Sequence, residues 1–203
     1  MNVEVPSTYW IGLDDTDERE HGCTTFDFND LLNTLANSDI QIHDARLVRL
    51  WPFAPQRTRG NAALAASVRC EDIHLLERVL GHWFESKYHT VVGNGKEHSA
   101  QPTLLMTSTQ LPEKLYWDTV RNHVELEHRI KDLTAFSPRI WHTDAGCMGV
   151  IGASAAIAWR GERDWTWECT AWRQSTGKRN VPIVPVIEMA EKFPGTILNR
   201  DPN

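Results

Sequence analysis

The sequence contains no GxxxxGK[ST] loop, no kinase-type glycine loop, no HExxH pair and no CxxC pair. These absences exclude the P-loop and protein-kinase designs for holding a nucleotide, the helix-borne zinc site of metalloproteases, and a zinc ribbon. Four cysteines stand apart at positions 23, 70, 147 and 169, which suits free thiols in a reducing compartment. No apolar leader and no run long enough for a membrane helix occurs, so the expected location is cytoplasmic with no membrane partner. Basic excess is absent too. Lys and Arg number 21 against 27 Asp and Glu, a net charge of -6. A surface that neutralises nucleic-acid phosphates needs the opposite balance, so direct tRNA or duplex binding by the whole surface is disfavoured. Nine histidines form no legible ligand set: His123 and His128 do not share a helix face, and His142 with Asp144 reads as loop.

What is present is an ordinary core and three polar segments. The hydrophobic fraction is 41% over 203 residues, enough for one good-sized domain or two small ones. Of nine tryptophans, many fall in strand-like segments, where packing accounts for them. Periodicity predicts a strand over Ser7–Leu13, a helix from Thr24 or Thr25 to Asn37, a strand over Ile42–Leu50, a strand over Ala62–Val68, a helix over Glu71–Glu85 and a strand over Thr103–Thr107. That β-α-β-β-α-β order is the split βαβ, ferredoxin-like arrangement, an antiparallel sheet with helices on one face. The second half reads as a long helix from Pro112 to Lys131, a small-residue helix over Gly149–Trp159, an alternating strand over Trp165–Arg173 and a short helix over Pro185–Lys192. The expected class is therefore α+β: residues 1–108 as a ferredoxin-like, kinase-like nucleotide-binding portion, packed with a second small α/β portion over 109–203.

Asp14, Asp15 and Asp17 follow the first strand. Like charges a few ångströms apart repel, by about 4 kcal/mol per pair at 4 Å and an effective dielectric of 20. A divalent cation relieves that, and Mg²⁺ in particular takes one or two carboxylates plus substrate phosphate oxygens. A solvated acidic turn is the alternative. Gly22, Thr24 and Thr25 open the next helix, where free N–H groups attract phosphate; plain N-capping explains the same residues. Arg57, Thr58, Arg59, Gly60 and Asn61 combine guanidinium forks, a hydroxyl and an amide suited to phosphate. Together the three segments supply what phosphoryl transfer from ATP requires, with Thr24 or Thr25 as the hydroxyl that positions or accepts phosphate.

The same residues carry a resemblance. IGLDDTDEREHGCTT is similar to GIDDTDSxxGxCTTY, and ARLVRLWPFAPQRTRGN to PRLVRLNPxIPxKTRGN, both from the archaeal isoleucine-tRNA 2-agmatinylcytidine synthetases. GVIGASAAIAW, TWECTAWR and VPIVPVIEMAEKFPGTILNRD resemble later segments of that family in the same order. The resemblance implies a kinase-like plus ferredoxin-like core that activates a cytidine carbonyl with ATP and then attaches agmatine. It implies that Asp14, Asp15 and Asp17 hold Mg²⁺ and nucleotide phosphates, that Thr24 matches an autophosphorylated threonine, and that Arg57, Arg59, Gly60 and Asn61 lie near the phosphates.

Two departures qualify it. The family continues into an OB-fold and a zinc ribbon that grip tRNA, and neither is expected within these 203 residues. The family's GNGRG-like stretch is Ala145-Gly146-Cys147-Met148-Gly149 in this chain, without the Asn and Arg, so the resemblance at this stretch leaves agmatine open as the co-substrate. Asp144, with Gly149, is the candidate for a substrate pocket, against an ordinary loop aspartate. Three functions are expected to compete: an ATP-dependent kinase- or ligase-like enzyme acting on a small molecule, nucleoside or RNA carbonyl; a non-catalytic nucleotide-binding regulator; or the catalytic subunit of a tRNA-modifying complex whose RNA is held by a separate chain.

Overall fold

Asp14 ends a strand whose two faces belong to two different cores, and that alternation organises the molecule. The computed structural model describes residues 7–18, 21–55, 57–58, 60–88, 100–161 and 183–192. The elements are β1 (Ser7–Asp14), α1 (Thr24–Ala36), β2 (Gln41–Arg49), β3 (Ala62–Cys70), α2 (Ile73–Tyr88), β4 (Thr103–Thr107), α3 (Lys114–Arg121), α4 (Leu126–Leu133), β5 (Arg139–His142), α5 (Val150–Ala158) and α6 (Ile183–Lys192). The strands form one antiparallel sheet in the order β2-β3-β1-β4-β5. Its first four strands have the expected ferredoxin-like order, with β1 central between β3 and β4.

Tyr9, Ile11 and Leu13 of β1 point to one face, where they meet Leu31 and Leu35 of α1 and Leu76, Leu80 and Phe84 of α2. The period of 3.6 that predicts these helices is thus the period of their buried stripe. Trp10 and Gly12 point to the other face. There Leu115 of α3, Leu133 of α4 and nearly the whole of α5 build a second core with Ala63, Ala65 and Leu105. Helices therefore cover both faces of the sheet, not one.

Two further corrections apply. The helix expected over Pro112–Lys131 is broken into α3 and α4 by an extended Asn122 and the link to Glu125. The edge strand β5 is an addition that the periodicity does not predict. The chain divides into two compact units, 1–160 and 161–203. The expected boundary at 108/109 falls between β4 and α3, inside the first unit. Within the second, α6 is described; the strand expected over Trp165–Arg173 lies outside the described residues.

The small residues of α5 have a packing reason. A Cβ built on Gly12 would lie 2.5 Å from the Ala153 carbonyl oxygen, so helix backbone rests directly on strand backbone. Gly12→Ala should force α5 off the sheet at a cost of about 1–3 kcal/mol, read as a lower urea midpoint. An unchanged midpoint would show that the two backbones are not in that contact.

Candidate functional site

The three carboxylates that follow β1 are close in sequence, yet each has a different environment. Asp14 keeps the strand alternation and shares the face of Gly12, so its carboxyl turns towards α5. A Cβ on Gly152 would fall onto that carboxylate, with the carboxyl carbon 2.7 Å away, and one on Gly149 would lie 2.7 Å from the Asp14 carbonyl oxygen. Burial first, and then the charge of Asp15, holds the Asp14 carboxyl well above the usual carboxylate range.

Asp15 adopts a left-handed backbone conformation, φ 58°, which Asp tolerates better than most residues. From that turn its side chain accepts the Gln101 N–H at 3.0 Å. The Gln101 side-chain oxygen in turn accepts the Met148 N–H at 3.1 Å. Burial, partly opposed by the Gln101 hydrogen bond and reinforced by the Asp17 charge, pushes Asp15 up to about 7.

Asp17 is the junction. Thr24 Oγ1 donates to its Oδ1 at 3.2 Å and Thr58 Oγ1 to its Oδ2 at 3.3 Å. The helix start and the basic bend, far apart in sequence, are joined through one carboxylate. Gly22 permits this fold-back: its φ is +77°, and a Cβ there would lie 2.9 Å from both the Asp17 Cα and the Thr16 carbonyl oxygen. Cys23, not a threonine, is the N-cap of α1, and its side chain makes no cap hydrogen bond. Thr24 sits inside the helix, buried, with its hydroxyl committed to Asp17.

The bend between β2 and β3 is closed by Leu50 N–H to the Asn61 carbonyl and by the Asn61 side-chain amide to the Trp51 carbonyl, both 2.9 Å. Arg57 hangs from it through a hydrogen bond to the Ala54 carbonyl at 3.0 Å and is otherwise exposed. A Cβ on Gly60 would lie 2.7 Å from the Arg49 guanidinium, which crosses it. Arg59 lies outside the described residues.

These segments line one solvent-open cavity of about 130 Å³. Asp14, Asp15 and Asp17 form one part of the wall and Arg57, Thr58, Gly60 and Asn61 another. Thr24, Thr25 and Gly22 are not lining residues; Thr24 stands behind Asp17. Asp144 is exposed on the turn after β5 and is not part of the cavity wall, nor is Gly149, which is buried against β1. The cavity has a wall that the sequence does not reveal: Thr119 of α3, the link residues Asn122, His123 and Val124, and Met148, Ile151 and Gly152 around the start of α5. A helix break at Asn122 is the signal to find, but no Gly or Pro marks it.

The donor set fits a hard cation and a polyphosphate. Burial and neighbouring carboxylates disfavour the ionised forms of Asp14 and Asp15, which a divalent ion would offset, while Arg57 presents donors to the same cavity. Among the described residues no three His, Cys, Asp or Glu side chains converge as a closed protein-only metal cage, so an ion here would be completed by ligand oxygens and water.

Comparison with known proteins gives a consistent result. The family description of the TiaS TCKD domain matches residues 10–138 and that of the TiaS FLD domain residues 148–203. The isoleucine-tRNA 2-agmatinylcytidine synthetase TiaS of Caldivirga maquilingensis is 29% identical over 178 residues, covering 86% of this chain and 41% of that protein. TiaS of Pyrococcus horikoshii is 29% identical over 201 residues, covering 95% of this chain and 46% of that one. The chain thus spans less than half the length of these curated relatives. Among solved structures, that of apo TiaS superposes with a TM-score of 0.72 at 21% identity, covering 92% of this chain and 44% of that one. The complex of TiaS with its isoleucine tRNA and ATP superposes with a TM-score of 0.65 at 23% identity, covering 77% and 37%. These likenesses establish the shared fold.

Proposed function

The chain belongs to the TiaS family, and on that footing we propose that it is the nucleotide-using part of an ATP- and Mg²⁺-dependent phosphoryl-transfer or ligase-like enzyme. The acceptor is a carbonyl of a nucleoside or of an RNA base. The observation that carries this reading is the Asp17 junction: one carboxylate on the cavity wall accepts hydrogen bonds from both Thr24 and Thr58. Asp14 and Asp15 would hold the metal. Bound there, Mg²⁺ would neutralise polyphosphate charge and relieve the repulsion between the carboxylates.

The chain's own groups do the rest. Arg57 donates to phosphate oxygens, with Thr58 held beside it by Asp17 and Gly60 letting the backbone approach; Arg59 joins Arg57 in the proposal by its place in the sequence. Asp17 holds the Thr24 hydroxyl behind the cavity wall; turned into the cavity, that hydroxyl would attack the γ-phosphorus of ATP, giving its proton to Asp17 and releasing ADP. The TiaS structures solved with isoleucine tRNA and ATP, and with the same tRNA, AMPCPP and agmatine, support a nucleotide and an RNA acceptor for the family. The net charge of -6 favours the view that these 203 residues do not grip tRNA by themselves.

Incubation with γ-labelled ATP and Mg²⁺ should label the chain, and Thr24→Val should lose at least nine-tenths of the label while binding ATP within about threefold of the parent. Label that persists in the variant removes Thr24 from the chemistry. ATP binding with no label and no hydrolysis would instead favour the non-catalytic regulator.

A further inference from the structure

We propose that Trp51 and Phe53 form a stacking platform for a nucleobase at the mouth of the acid-lined cavity. This rests on the reading that the cavity takes a nucleotide's phosphates, and it adds where the base goes. Trp51 opens the bend between β2 and β3 and lines the cavity together with Arg57 and Thr58. Phe53 packs edge-on against it, ring centroids 6.2 Å apart and planes at 73°. Phe53 is nevertheless 71% exposed, more than any other large hydrophobic side chain among the described residues.

A loose loop tip does not explain that exposure. The backbone beneath the rings is pinned at the Trp51 carbonyl by the Asn61 amide at 2.9 Å, and the Ala54 N–H points to the same carbonyl. The rings are held out on a fixed segment, the arrangement by which proteins stack bases without reading their edges.

Cavity size points the same way. At about 130 Å³ it is smaller than the roughly 300–1,000 Å³ of sites that enclose a whole ligand. A polyphosphate placed against Arg57 and Thr58 leaves its nucleoside outside, over the rim. The rim on the side of that same bend is aromatic, whereas the link after α3 contributes Asn122 and His123 to the lining. The assigned occupant is therefore a planar heterocyclic base. Adenine of the bound ATP is the first source, because one short bend would then read both the base and its phosphates. The base of the acceptor is the second.

The test uses the full chain and calorimetric titration with ATP plus Mg²⁺, with inorganic tripolyphosphate plus Mg²⁺, and with CMP. The variants are Phe53→Ser and the double variant Trp51→Ser/Phe53→Ser. The single change, at a largely exposed side chain, stands in if the double variant fails to fold, as judged by circular dichroism. ATP affinity should fall about tenfold or more in the double variant, and tripolyphosphate affinity should not change. A fall for CMP alone also upholds the platform and assigns it to the acceptor base. The proposal is overturned if neither ATP nor CMP binding changes, or if ATP and tripolyphosphate weaken together, which would mean that only the phosphate site was disturbed. The nucleotide reading fails separately, and takes the platform with it, if the parent chain binds neither ATP nor tripolyphosphate.

Discussion

Between pH 5 and pH 7.5 the ligand-free chain should lose stability, and Asp15→Asn should remove much of that loss. The Asp15 carboxyl titrates near 7 in the folded chain against an ordinary carboxylate value of 3.8. Because the folded value is the raised one, the folded chain binds more protons than the unfolded chain between these limits. The contribution is fully present below about pH 4, and it is lost as the pH rises through 7. The gap corresponds to about 4 kcal/mol at most, and about 2–4 kcal/mol is expected in a site open to solvent on one side. Asp30 works oppositely: burial raises its pKa, but the hydrogen bonds from Trp83 and Lys87 outweigh that and lower it, so its contribution is lost in acid. That confines the useful window to about pH 5–7.5.

Asparagine isolates the charge. It keeps an oxygen to accept the Gln101 N–H and tolerates the left-handed backbone, while carrying no ionisable group. Urea unfolding at several pH values should show Asp15→Asn gaining on the parent by about 2–3 kcal/mol between pH 5 and pH 7.5. Saturating Mg²⁺ and ATP should stabilise the parent at pH 7.5 far more than the variant, since a ligand bound only to the folded state adds stability by mass action. Parallel pH profiles for the two proteins would show that Asp15 ionises normally. The comparison also exposes a trade common at functional sites, in which a group held in an unfavourable state lowers stability and serves binding.

Much of the sheet and half of the site are legible in the sequence for definite reasons. β1, β3 and β4 are apolar, β-branched or small-residue runs bounded by acids, a cysteine and a threonine, and α1 carries Leu31 and Leu35 at helical spacing. Those patterns are local. Asp14, Asp15 and Asp17 are legible as a group because three acids after a buried strand are rarely neutral in consequence. Their separate roles are not, because these depend on a single backbone turn: Asp15 at φ 58° sends its side chain to Gln101 and leaves Asp17 for Thr24 and Thr58. The wall formed by Asn122, His123 and Val124 is hidden by a helix break without Gly or Pro. β5 is hidden because four residues, Arg139–His142, are too few for a period of two to stand out. The composition of α5 reads in sequence as a small-residue helix and a family likeness. Its physical cause, contact of helix backbone with Gly12, is a tertiary fact that no window of sequence contains.

The wall hidden in the sequence depends on one buried cation, and removing it should have the largest effect on the fold. Arg129 of α4 is fully buried. One terminal nitrogen donates to the Ile151 carbonyl at 3.0 Å and to Ser154 Oγ at 2.7 Å; the other donates to the Leu115 carbonyl at 3.0 Å and to Thr119 Oγ1 at 2.8 Å. Its Nε has no partner. Burial lowers its pKa to about 10, against the more distant charges of Asp132 and Asp118, so the guanidinium remains charged at neutral pH. It thereby ties α3 to α5, and two of the residues it grips, Thr119 and Ile151, line the cavity. Arg129→Ala would leave a large void and four acceptors stripped of a charged donor, at a cost of about 3–5 kcal/mol. For a chain of this size that lowers the melting temperature by about 10 °C. Lysine at this position carries its three donors on one atom and does not span both pairs of acceptors, so Arg129→Lys should lose about half as much. Thermal melts of the two variants decide the matter: equal losses would mean that volume alone counts, and a loss under about 1 kcal/mol for alanine would mean that α3 and α5 hold together without the guanidinium.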